Sequence, residues 1–312
     1  MPTVAPLDLD SYCLFAGFIG EVPVYALADG TVHRLDQGHQ ALQMHDGMTC
    51  ATLTQDGKAL ISGGEDGLVR ALNGEGIAAE IGNAGKKWVT AVAAGPNGAA
   101  AWAAGKQAWV RLADGTVKEF AEERSMEGLA FAPKGMRLAT ARYNGGTLHW
   151  VTTAGKPVDL EWKGAHTGIC FSPDGATAWF IDSRAKKWMR VTVDPADGAP
   201  TGEPEIFFDH SAGTGNIDGA ICDADGHLWN ARYGSAALDC YAPDGKRLFT
   251  IDMPASQTTC PAFVGDGLIA VTSAFQNLDA AALAADPQAG KTFLVETRVK
   301  PKFEPKVAFE EV

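Results

Sequence analysis

The stretch TQDGKALISGG (54–64) sets an Asp-Gly turn directly before an apolar strand. Variants of it recur as GPNGAAAWAAG (95–105), APKGMRLATAR (132–142), SPDGATAWFID (172–182), DADGHLWNARY (223–233) and VGDGLIAVTSA (264–274). Their anchor glycines Gly57, Gly98, Gly135, Gly175, Gly226 and Gly267 stand 41, 37, 40, 51 and 41 residues apart, and Gly20 opens a further unit 37 residues before Gly57. Ten residues after Gly20, Gly57 and Gly135, a second glycine precedes another strand: TVHRL, LVRAL or TLHW.

Short apolar or alternating runs between Gly, Asp and Asn turns are the signal of antiparallel β structure. A period near 40 with four strands per unit predicts a propeller, because a lone unit exposes both faces of its sheet and must stack on its neighbours. The expected fold is therefore all-β: one propeller of four-stranded antiparallel blades over residues 1–312, with seven blades favoured and six the alternative. Leu60, Trp102, Leu138, Trp179, Trp229 and Ile269 fall on the second strand of successive units and are assigned to the core between blades. NLDAAALAADPQAG (277–290) is the one expected helix, inserted in the last unit. The last blade must close the ring, so a segment of residues 2–12 or 302–311 is expected to complete it and cover its edge.

The formal net charge of −12 argues against a nucleic-acid partner, since phosphate binding needs basic clusters. The start MPTVAPLDLD lacks a basic region followed by an apolar stretch, and no window approaches a membrane span. Six scattered cysteines without a Cys-x-x-Cys pair read as buried thiols in a reducing compartment. The expectation is a cytoplasmic monomer with no nucleic-acid or membrane partner.

Toward the C-terminus four motifs follow in order: GICFSPDGATAWFIDS, NIDGAICDADGHLWNARYG, YAPDGKRL and QTTCPAFVGDGLIAVTSAF. Through them residues 168–298 resemble the regucalcin/gluconolactonase-like sugar lactonases. That resemblance implies a six-bladed propeller hydrolysing sugar lactones with one divalent cation on its axis. Upstream, ATLTQDGKALISGGEDGLVRAL and GLAFAPKGMRLATARYNGGTLHW, with the lead-in EWKGAHTG, resemble WD-repeat units, although the Trp-Asp dipeptide is absent. The chain thus reads as a hybrid, with WD-repeat-like blades over 1–166 and lactonase-like blades over 167–312. The seam falls near residues 164–168, where both parents share turn chemistry.

The resemblance carries over Asp218 as metal ligand and catalytic base, and places Thr167 where the lactonases keep a metal-binding asparagine. Their N-terminal glutamate ligand has no identifiable counterpart, and Glu21 matches only superficially. Asp218 lies eight residues before its anchor glycine. The same offset elsewhere gives Tyr12, Thr49, Thr90, Glu127, Thr167 and Thr259, expected to ring one mouth of the channel. Glu127, Thr167 and Asp218 are the candidate ligands of one weakly bound divalent cation (Ca, Mn, Zn or Fe), since hard cations take oxygen donors. The competing reading is two solvated carboxylates lining water.

Among other candidates, His166, His210 and His227 are assigned to turns without a spaced zinc partner, and Cys260 to the core. Ser183 lacks a nucleophile-elbow context, and Gly63-Gly64 and Gly145-Gly146 read as hairpin turns. With the substrate-positioning half unmatched, the leading expectation is a scaffold or binding protein with little or no catalysis. The alternative is a metal-dependent sugar lactone hydrolase centred on Asp218. Candidate partners are accordingly a small sugar lactone or an unidentified protein.

Overall fold

The computed structural model describes residues 3–7, 9, 11–35, 38–121, 125–131, 137–142, 147–152, 157–163, 166–196 and 200–301. The protein is an all-β propeller of four-stranded antiparallel blades. Among the described residues the strands form seven four-stranded sheets, here sheets 1 to 7 in chain order. Their first strands are Cys13–Ile19, Met48–Leu53, Ala91–Ala94, Met126–Phe131, His166–Phe171, Asn216–Cys222 and Thr258–Gly265. Each touches the first strand of the sheet before and after it, and the last touches the first. These are therefore the innermost strands, and the ring is closed.

The repeat explains the local structure. Anchor glycines such as Gly175 (φ 73°) and Gly226 (φ 83°) hold the left-handed backbone that turns the first strand into the second, a conformation Cβ-bearing residues resist. In SPDG, the Asp174 carboxylate accepts from the Ser172 hydroxyl and, at 3.0 Å, from the Ala176 N–H, which locks the turn.

Packing follows the expected pattern. Leu60, Trp102, Leu138, Trp179, Trp229 and Ile269 are all buried, each at most 4% exposed. They fill clusters between neighbouring sheets: Ile19, Val24, Leu60 and Leu72 between sheets 1 and 2, and Trp229, Ile251, Ile269 and Phe293 between sheets 6 and 7. Cys13, Tyr25, Leu27, Val264 and Ala270 join sheet 7 to sheet 1. Burying each large apolar side chain contributes roughly 1.5–3 kcal/mol, so the interfaces between sheets hold the ring.

Sheet 7 closes as required. Val4–Leu7 pairs antiparallel with Thr292–Glu296, in the register Val4↔Val295 to Leu7↔Thr292. The other proposed closing segment, 302–311, lies outside the described residues. The insertion of sheet 7 forms the helix Ala280–Ala285, where the Asp279 carboxylate caps the Ala282 N–H at 2.8 Å.

Two glycine assignments differ from expectation or fall out of view. Gly63 and Gly64 end the strand Ala59–Gly64 and do not form the turn. A Cβ on Gly63 would meet Val89 Cγ1 at 2.4 Å, and one on Gly64 would meet His45 Nδ1 at 2.4 Å, so close packing is what requires glycine there. Gly145 and Gly146 lie outside the described residues.

Candidate functional site

Every innermost strand except that of sheet 3 carries a register shift near its start. The shifts fall between Met48 and Cys50, Met126 and Gly128, His166 and Ile169, Ile217 and Ala220, and Thr258 and Pro261. Thr49, Glu127, Thr167, Asp218 and Thr259 therefore stand in β-bulges, the device that re-aims a side chain. In sheet 1 the shift lies between Cys13 and Phe15, so Leu14 holds the place expected for Tyr12. In sheet 1 the shift stands six residues before the anchor Gly20, so counting back eight overshoots it. Tyr12 instead stacks on Phe275, with ring centroids 4.6 Å apart.

Two of the ring threonines join sheets. Thr49 donates to the Gly63 carbonyl at 3.0 Å and also contacts the Val89 carbonyl, leading into sheet 3. Thr90 donates to the Met126 carbonyl of sheet 4 at 2.6 Å. Thr259 lies 2.7 Å from the Thr272 hydroxyl within sheet 7. Glu127 and Thr167 sit on the innermost strands of sheets 4 and 5, but their side chains, like that of His166, lie outside the described residues.

Asp218 differs from the threonines. It is half-buried, and among the described residues its carboxylate forms no ion pair. Arg232, paired in register with Ile217, directs its guanidinium to Asp239 at 2.7 Å instead. Water reaches Asp218, yet protein atoms crowd it. Burial pushes its pKa from 3.8 up to about 6, opposed only by the Gly219 N–H. Tyr233 feels the same charge, its phenol being raised by burial and then by Asp218.

Cys260 corrects the core assignment. It is exposed, and its sulfur lies against Gly219, where an added Cβ would meet it at 2.7 Å. Enclosure by protein, then the Asp218 charge, pushes this thiol up to about 12, so it is protonated and unreactive at neutral pH.

Two other constellations carry no reaction. Ser62, His45 and Asp66 are linked in the order of a nucleophilic triad, at 2.9 and 3.0 Å. Ser62 is fully buried, however, so no substrate reaches its hydroxyl. A groove of about 730 Å³ is lined by Ser172, Asp174, Trp179, Arg190, Glu205 and Asp225. It follows the far ends of the innermost strands of sheets 5 and 6, away from Asp218. His210 contacts the Arg232 guanidinium and the Thr214 carbonyl, while His227 lies 3.1 Å from Asp223. Neither histidine joins a metal-ligand group, and among the described residues no three His, Cys, Asp or Glu side chains come together as one. No helix among them is long and apolar enough to cross a membrane.

Among the described residues, then, a crowded carboxylate without an ion pair stands on an innermost bulge of a propeller, where the neighbouring ring positions Thr49 and Thr90 are bonded to backbone carbonyls. The SMP-30/Gluconolactonase/LRE-like region matches residues 27–275, and the chain belongs to that family. The match runs through residues 164–168, so the WD-repeat look of the first half remains a similarity of pattern and does not bound the family. The chain is 53% identical over 139 residues to a protein of Rhizobium meliloti assigned as a sugar lactone lactonase, covering 44% of this chain and 47% of that one. It is 38% identical over 130 residues to the L-arabinolactonase of Azospirillum brasilense, covering 42% and 43%. These matches span about half the length of each relative. Among solved structures, a calcium-binding regucalcin of Agrobacterium tumefaciens superposes with a TM-score of 0.65 at 26% identity, covering 97% of each chain.

Asn230 and Tyr233 were missed as neighbours of the site. The one signal for Asn230 was a polar residue inside the apolar run LWNARY.

Proposed function

We propose that the protein hydrolyses a sugar lactone at the axial site around Asp218. Membership of the gluconolactonase-like family and the named lactonases among its relatives support this reading over the scaffold expected from the sequence. The observation that carries it is the Asp218 carboxylate, without an ion pair among the described residues and raised to about 6, near the range of a working general base.

Asp218 would accept the proton of the water that adds to the lactone carbonyl carbon. The ring C–O bond then breaks, and Asp218 returns the proton to the departing oxygen, leaving the open hydroxy acid. An unpaired carboxylate in low-dielectric surroundings also fits a hard divalent cation, with Glu127 and Thr167 proposed as further oxygen donors. A bound cation would polarise the carbonyl and acidify water. We read the seven sheets as seven blades, one more than the lactonase resemblance implies, and the whole chain as one domain. The added wedge would widen the axis, so Asp218 and Glu127 need not reproduce a family spacing.

The test is a pH-indicator assay on aldonolactones with Ca²⁺, Mn²⁺, Zn²⁺ or Fe²⁺ in turn. Saturable hydrolysis above the spontaneous rate is expected, with Asp218→Ala reducing kcat roughly 10²–10⁴-fold. A wild-type rate equal to background with every lactone and cation would remove the proposal.

A further inference from the structure

Within sheet 6, the second strand Leu228–Tyr233 pairs with the innermost strand so that Asn230 stands opposite Ala220, two residues past Asp218. The same register place holds Phe180 opposite Ile169 in sheet 5 and Val271 opposite Pro261 in sheet 7. In sheets 1 and 3 it holds Tyr25 and Trp102, and in sheets 2 and 4 the smaller Ser62 and Thr140. It is a core position, and Asn230 is wholly buried in it. Burying an amide costs free energy unless its hydrogen bonds are made, and apolar side chains serve this place on both sides.

Asn230 makes two bonds, both to the bulge that carries Asp218. Its Nδ2 donates to the Asp218 carbonyl at 2.8 Å and to the Gly219 carbonyl at 3.1 Å. Its Oδ1 has no partner among the described residues. The side chain therefore leaves one polar atom unsatisfied in order to clamp two consecutive carbonyls. Fixing both peptide planes fixes the direction in which the Asp218 side chain leaves the strand. Gly219 gives the bulge little stiffness of its own, because a side chain there would collide with Cys260 and the Thr259 carbonyl.

We infer that Asn230 is a positioning residue that aims Asp218 into the channel by holding the carbonyls of the Asp218–Gly219 bulge. This rests on the lactonase reading as far as turnover is concerned. Its structural half, the clamp on the bulge, does not depend on it.

The test uses the full chain carrying Asn230→Val, which installs the side chain that sheet 7 uses at this register, and Asn230→Asp, which keeps the volume but places an acceptor against two carbonyls. Lactone turnover, melting temperature and hydrogen–deuterium exchange of the 216–222 segment are measured together. With Asn230→Val, kcat should fall roughly 10²-fold with KM within about threefold, the signature of misplaced chemistry as opposed to lost binding. The melting temperature should change by only a few degrees, since two hydrogen bonds to half-buried carbonyls are lost while one unsatisfied buried oxygen is removed, and the 216–222 amides should exchange faster. Asn230→Asp should lose at least as much turnover and gives the answer if the valine variant does not fold. Wild-type kcat in either folded variant, or unchanged exchange in the segment, overturns the inference. If the wild type hydrolyses no lactone, the functional reading alone has failed, and the exchange rates decide the role of Asn230.

Discussion

Asp218 makes the metal-free protein less stable at neutral pH, and the effect can be measured. Its pKa is raised from 3.8 to about 6 in the fold because burial penalises the charged form. Below 3.8 the carboxyl is protonated in both the folded and unfolded chain and contributes nothing. As pH rises from 3.8 to 6, the unfolded chain releases a proton that the folded one retains, so stability falls. Above 6 the full penalty applies, about 3 kcal/mol from 2.2 units at 1.36 kcal/mol each. Channel water screens part of that, leaving about 2–3 kcal/mol at pH 7.5 and about 1 kcal/mol at pH 4.5. Asp218→Asn abolishes the ionisation and keeps the shape. At roughly 2 °C per kcal/mol for a chain of this size, the variant should melt about 4–6 °C higher than wild type at pH 7.5 in EDTA, and only about 2 °C higher at pH 4.5. Calorimetric or circular-dichroism melts at the two pH values measure it. A gain that is the same at both, or absent at pH 7.5, refutes the reasoning. A divalent cation that occupies the site should raise the wild-type melting temperature at pH 7.5 and leave that of the Asp218→Asn variant unmoved.

Other outcomes follow from particular contacts. Gly219→Ala should cost about 1–3 kcal/mol in urea unfolding, because its methyl would sit 2.7 Å from both Cys260 Sγ and the Thr259 carbonyl. Removing residues 1–7 uncovers the strand Thr292–Glu296, and the truncated chain should melt lower and self-associate on size exclusion; an unchanged melting temperature would contradict the closure described above. Asp239→Ala strands the buried Arg232 guanidinium and removes the acceptor of the Tyr241 hydroxyl, bonded at 2.9 Å, so unfolding free energy should drop by about 3–5 kcal/mol.

Much of the architecture was legible because one physical unit is written repeatedly. The Asp-Gly turns and the apolar second strands, from Leu60 to Ile269, appear in the sequence as they do in the fold, since each unit obeys the same turn and packing constraints. That one of the two terminal segments closes the ring was legible for a related reason, since an open edge strand is not tolerated; which one, Val4–Leu7, only the structure showed. The offset of eight residues from the glycine falls on a bulge at Thr49, Glu127, Thr167, Asp218 and Thr259. It fails in the first unit, where the bulge stands at Leu14, six residues before Gly20. The same offset placed the threonines in the ring, but it could not show that Thr49 and Thr90 bind carbonyls 40 and 36 positions away. Cys260 looked like core because cysteine usually is.

The sequence by itself determined the repeat, the strands and which faces pack, since turn chemistry and alternation act over a few residues. It also marked Asp218, through the motif that surrounds it. Only the tertiary structure decided that this carboxylate has no ion pair among the described residues, that Asn230 holds the backbone beneath it and that Thr49 and Thr90 bind toward the next sheet. Those facts depend on strands meeting across the ring, where desolvation and hydrogen-bond partners are set by distance in space, which spacing along the chain does not encode.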